Sequence, residues 1–69
     1  MGSVARITEI SAQSEKSFED AISVGIGRAA STLRNLRSAY VKEQQVMLDA
    51  TGKKRTYQVN LQITFVLEG

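Results

Sequence analysis

Three groups of side chains in this 69-residue chain are of the types that do chemistry. Gln58, Asn60 and Gln62 recur at every second position, and each amide offers both donors and an acceptor. Glu9, Glu43 and Asp49 are carboxylates of the kind that hold a hard cation such as calcium. Lys53, Lys54 and Arg55 form a basic run. The types that are missing narrow the chemistry further. There is no histidine, and so neither the commonest general base nor the commonest transition-metal ligand. There is no cysteine for a thiolate site or a disulfide, and no tryptophan. Nothing pairs a nucleophile with a base, and the carboxylates are scattered where solvation explains them, so the chain does not read as an enzyme. A calcium site needs several convergent carboxylates, and the spacing of an EF-hand is absent.

The amides are positioned by the last fifteen residues, whose polarity alternates. Arg55, Tyr57, Val59, Leu61, Ile63, Phe65 and Leu67 share one side of an extended chain. Thr56, Gln58, Asn60, Gln62, Thr64 and Glu68 share the other, and Val66 alone breaks the pattern. A period of two marks a strand with one buried face. The second face carries amides and hydroxyls where a solvated sheet face usually carries Lys and Glu. Such a row suits contact with another subunit, a polar ligand or both, the plainer alternative being a water-facing sheet of low charge.

Three further elements come before it. Residues from about Val4 to Ser11 are expected to form a first strand, followed by a polar connection over 12–16. A helix is expected from Ser17 to about Asn35, with Ser17 as its cap, Asp20 reaching back in a capping box, and Glu19 and Asp20 at its positive end. Its apolar stripe runs Phe18, Ala21, Ile22, Gly25, Ile26, Ala29, Leu33 and Leu36, and Arg28, Arg34 and Arg37 favour its C-terminal end. Gly25 and Gly27 inside that stripe lower helix propensity, which points to a close approach by a sheet or a neighbouring subunit. A phosphate-binding glycine loop would instead need a strand-to-helix turn. From Ser38 the chain is extended again, and residues 49–54 form a turn in which Gly52 can take positive φ. The basic run sits at that turn as a solubilising tip. The nearest aromatics, Tyr57 and Phe65, are on the apolar side of the strand, so no nucleic-acid partner is expected.

The expected class is therefore α+β, in the order β-α-β-β, as one domain over 1–69: a three-stranded antiparallel sheet partly wrapped around one long helix. Such a short chain without disulfide or metal needs self-association to be robust. No apolar run approaches the roughly 20 residues of a membrane span, and no signal-peptide core is seen, so the protein reads as soluble, not membrane-bound and by default cytoplasmic.

The ordered features of the chain resemble the dodecins. They are Ser17-Phe18 opening the helix, Ala29-Ala30 and Thr32-Leu33 near its end, Arg55-Thr56-Tyr57-Gln58-Val59 in the last strand, and the closing Phe65-Val66-Leu67-Glu68. The resemblance runs from about Arg6 to Glu68. It implies a self-partnered, hollow homododecamer whose sheets line the lumen and whose helices lie outside. It also implies binding of a small-molecule flavin, riboflavin or FMN, between tryptophans of neighbouring subunits, with a glutamine on the polar edge of the ring and storage rather than turnover as the role.

Gln58 matches that glutamine, while the position of the tryptophan reads Ser38. Tyr40 lies on the same side of an extended strand as Ser38, and with the adjoining Arg37 completes the expected cofactor contacts. Without the stacked indole, flavin binding is expected to be weakened or lost. The expected function is a dodecin-like shell for small-ligand binding or storage. The alternatives are flavin sequestration retained through Gln58, a calcium-binding shell, or a purely structural dodecamer.

Overall fold

A computed structural model describes residues 2–67. Within them the order is β1 (Ala5–Ser14), α1 (Phe18–Thr32), β2 (Leu36–Leu48) and β3 (Arg55–Val66). The three strands form one antiparallel sheet in the order β1-β3-β2. The strand with the cleanest alternation is thus the central one. Val59, Leu61 and Ile63 are buried beneath α1, where they meet Ala12, Ala21 and Ala29. Tyr57 is on this face too, its ring edge-on to Phe18 with centroids 5.1 Å apart.

The helix approaches the sheet through small residues. A β-carbon on Gly25 would stand 2.9 Å from Leu61 Cδ1 and 3.1 Å from the Ala12 Cβ. The close approach expected of the glycines is therefore real at Gly25. At Gly27 a β-carbon would meet nothing within 4 Å of the protomer.

Several boundaries differ from the sequence reading. β1 continues to Ser14, because Ala12 and Ser14 are small residues on the helix-facing side and pair with Val59 and Tyr57. The apolar residues that suggested the strand behave otherwise: Val4 and Ile7 are exposed and Ile10 packs on the core. The helix stops at Thr32 rather than near Asn35. Ser31 Oγ and Thr32 Oγ1 donate to the carbonyls of Arg28 and Ala29, at 2.7 and 3.4 Å, and compete with the helical pattern. Asn35 then takes φ 59°, the left-handed conformation its short polar side chain tolerates. Leu36 therefore reaches the core from β2, and Arg34 and Arg37 lie beyond the helix, whose last turn contains no basic residue.

Ser17 caps α1, its Oγ accepting the Asp20 N–H at 3.0 Å. The Asp20 carboxylate serves a different group, accepting from Ser14 Oγ at 2.6 Å. Residues 49–54 form the expected turn, with Gly52 at φ 74°. Asp49 Oδ1 holds it together by accepting from Thr51 N, Thr51 Oγ1 and Lys54 N at 3.1, 2.9 and 3.4 Å.

A 15-residue helix spans about 22 Å, whereas the protomer is 55 Å long. The helix lies over β1 and β3 and scarcely touches β2. Val41, Val46 and Leu48 of β2, on the helix side of the sheet, are consequently exposed, and Tyr40 is exposed on the opposite face.

Candidate functional site

The face of the sheet turned away from α1 carries the amide row. Cross-strand pairs share a face, so register places each β3 residue between two neighbours. Gln58 lies between Gln13 and Gln45, Asn60 between Ser11 and Glu43, Gln62 between Glu9 and Tyr40, and Thr64 between Ile7 and Ser38. Val59, Leu61 and Ile63 of β3 are locked under the helix, and this fixes the even-numbered residues outward.

The polar side chains of this face bond to one another. Gln13 Nε2 donates to Gln58 Oε1 at 3.0 Å. Gln58 Nε2 points at Asn60 Oδ1 at 3.5 Å, the loosest of these contacts. Asn60 Nδ2 donates to Glu43 Oε1 at 3.0 Å. One row over, Lys42 Nζ donates to Glu9 Oε1 at 2.9 Å. The hydrogen bond and charge of Lys42 hold the Glu9 carboxyl below its ordinary pKa, with Gln62 assisting. The same contact raises Lys42. Asp49, at the hairpin turn, is lowered chiefly by the Thr51 hydroxyl.

β2 is irregular where it meets this face. Its register shifts between Leu36 and Ser38 and again between Val41 and Glu43. Arg37 occupies the first irregularity. It is a strand residue and does not serve the helix end that it was expected to favour. Because bulges re-phase the alternation, β2 reads as mixed in sequence although it pairs along nearly its whole length. Arg37 and Ser38 border a small pocket of about 190 Å³ together with Ile26, Leu36, Ala39 and Ile63.

One protomer does not bring the anticipated contacts together. Ser38 and Tyr40 share the polar face with Gln58. Ser38, however, pairs with Thr64, six positions along β3 from Gln58 and hence about 20 Å away. The carboxylates do not converge either: Glu9 is paired with Lys42, Glu43 with Asn60, and Asp49 is spent on its turn. No group of three potential metal-ligating residues occurs among the described residues. Sequence reasoning missed Gln13, which sits in a stretch taken for a loop. The usable signal was the period of two in Glu9, Ser11 and Gln13, which continues the strand past Ser11.

Comparison with known proteins decides the family. Residues 4–68 match the family described as Dodecin. The chain belongs to the dodecin family. A dodecin of Thermus thermophilus is 40% identical over 68 residues, which is 99% of this chain and 97% of that relative. The dodecin of Streptomyces davaonensis superimposes with a TM-score of 0.91 at 32% identity, covering 100% of both chains. A calcium dodecin of Mycobacterium tuberculosis, described as calcium-chelating with a novel calcium-binding site, gives 0.84 at 32% identity over 96% of this chain and 93% of its own. Dodecins are small-ligand-binding proteins, and the β-α-β-β protomer seen here is theirs. Of the closing Phe65-Val66-Leu67-Glu68, Glu68 lies outside the described residues. No helix among the described residues is long and apolar enough to cross a membrane.

Proposed function

We propose that this chain is the subunit of a dodecin-like homododecameric shell that binds or stores a small ligand, with flavin affinity reduced because Ser38 stands where the family stacks a tryptophan. The observation that carries this reading is the pairing of Ser38 with Thr64. It sets Ser38 and Tyr40 on the polar face of Gln58, on a chain without any indole.

Self-association is supported by β2, which α1 leaves uncovered and which displays Tyr40, Val41, Val46 and Leu48. A single protomer holds Ser38 and Gln58 about 20 Å apart, so a flavin touching both types of residue takes them from different subunits. Within that shell Gln58 is the polar contact, its amide able to meet a neighbouring carbonyl and N–H of riboflavin or FMN. Tyr40 offers a ring from the same face, while Arg37, beside Ser38, supplies a fixed positive charge. No catalytic step is assigned, since among the described residues the face holds amides, hydroxyls and an ion pair without a nucleophile–base couple. A location in the cytoplasm is part of the same proposal.

The second reading is a calcium-holding shell, favoured by the Mycobacterium tuberculosis relative and its calcium site. It needs carboxylates such as Glu9 and Glu43 from several subunits to meet, because oxygen ligands must surround the ion. Riboflavin titration followed by fluorescence quenching, run beside calcium titration followed by thermal midpoint, separates the two. Quenching without a calcium-dependent midpoint supports the flavin reading. A midpoint raised by calcium and lowered by chelator, without quenching, supports the other.

A further inference from the structure

We propose that Glu43 is the positioning residue that fixes the amide orientation of Gln58, acting through Asn60, and so determines which side of Gln58 offers a donor and which an acceptor to a ligand. The ligand part of this assignment rests on the role given to Gln58 above. The orientation itself does not.

Glu43 is the one member of this hydrogen-bonded series whose polarity is set by its chemistry. An ionised carboxylate only accepts hydrogen bonds, whereas an amide can be turned end for end. Glu43 Oε1 is 3.0 Å from the Asn60 amide, so Asn60 must turn its NH2 toward Glu43. Asn60 Oδ1 is then left facing along β3 toward Gln58, which must answer with Nε2, at 3.5 Å. Gln58 Oε1 is thereby directed across the sheet, where it accepts from Gln13 Nε2 at 3.0 Å. Reversing Gln58 alone would set its oxygen against the oxygen of Asn60 and its NH2 against that of Gln13. Asn60 cannot reverse to relieve this while Glu43 is ionised. Gln13, at the end of the chain, follows rather than directs.

Polarity thus runs from β2 across β3 to β1. Lys42 is adjacent to Glu43 but is engaged with Glu9 at 2.9 Å, which leaves Glu43 to Asn60. After these bonds Gln58 retains one N–H on its Asn60 side and one lone pair on its Gln13 side. A ligand edge that places a carbonyl beside an N–H, as in a lactam or imide ring, then fits in one orientation. Turned over, it would face donor with donor and acceptor with acceptor.

The test is Glu43→Gln, which keeps the size of the side chain but lets it donate or accept. In ligand-free, deuterated protein with 15N-labelled glutamine, the Gln58 side-chain amide signal is identified by its loss in Gln58→Leu. In Glu43→Gln that signal is expected to split or shift, while the backbone pattern and the subunit count stay as in the parent protein. An unchanged Gln58 signal would overturn the assignment. Riboflavin titrations add the functional arm. If half the amides turn, affinity falls about twofold, and lost polarisation of the chain extends this to about fivefold. Glu43→Gln should have no further effect in the Gln58→Leu background. An equal loss in that background would contradict action through Gln58. If Gln58→Leu itself leaves riboflavin binding unaltered, the ligand role of Gln58 fails, and the amide signals still decide the role of Glu43.

Discussion

Gly25 and Leu61 set the distance between helix and sheet. A β-carbon on Gly25 would come within 2.9 Å of Leu61 Cδ1, and Leu61 is wholly buried in the central strand. Gly25→Ala gains helix propensity, about 1 kcal/mol, but overpacks a site where the buried Leu61 or the helix must shift, at about 1–3 kcal/mol. The expected net is a loss of stability of about 1 kcal/mol, read as a lower urea midpoint. Gly27→Ala meets no such neighbour in the protomer and is expected to raise the midpoint. Equal midpoints for the two variants would show that the helix can move off the sheet.

Ser17 supports the same helix from its end. Its Oγ accepts the Asp20 N–H, and no other side chain is seen bonded to that amide. Ser17→Ala should cost about 1 kcal/mol, and Ser17→Asp should restore most of it. Loss in both, measured by urea unfolding, would point to the Ser14–Asp20 contact as the true anchor.

The Glu9–Lys42 pair predicts a pH dependence whose sign follows from the shifts. Glu9 is lowered, so its contribution is present above the ordinary carboxylate value, about pH 4.3, and is lost as pH falls through the native value below it. Lys42 is raised, so its contribution is present below about pH 10.4 and is lost as pH rises through a native value above that. Both groups are exposed, so salt should weaken the pair. In Lys42→Met the Glu9 carboxyl should titrate at higher pH by NMR. An unmoved titration would mean that Gln62, not Lys42, governs Glu9.

Ser38→Trp restores a stacking surface at the place where the family resemblance puts the tryptophan. Aromatic stacking beyond area burial is worth about 0.5–1.5 kcal/mol, and the area itself adds to this. Riboflavin affinity should rise at least about tenfold, seen as quenching at lower protein concentration. A variant that assembles without gaining affinity would remove Ser38 from the flavin site.

What the sequence disclosed and what it hid have physical causes. β3 was legible because it is central, with one face under the helix, and its alternation survives intact from Tyr57 to Phe65. The Ser17 cap and the Gly52 turn were legible because each depends on one residue type at one position. The end of β1 was not, since Ala12 and Ser14 bury too little apolar surface to announce a strand. β2 was blurred by two register shifts and by the small extent of helix over it, so neither of its faces needed to be uniformly apolar. On the polar face, the row Gln58, Asn60 and Gln62 could be read from its spacing, whereas Ser38 is proposed for the site on resemblance alone. The links to Gln13 and Glu43 could not, because they join residues 45 and 17 positions apart and depend on register.

The most direct test is native mass spectrometry of the purified protein, alone and with riboflavin. Twelve subunits, gaining riboflavin mass only at concentrations well above those needed by Ser38→Trp, is the predicted result. A monomer or dimer at working concentrations would contradict the shell. Twelve subunits that retain flavin as purified would contradict the weakening assigned to Ser38.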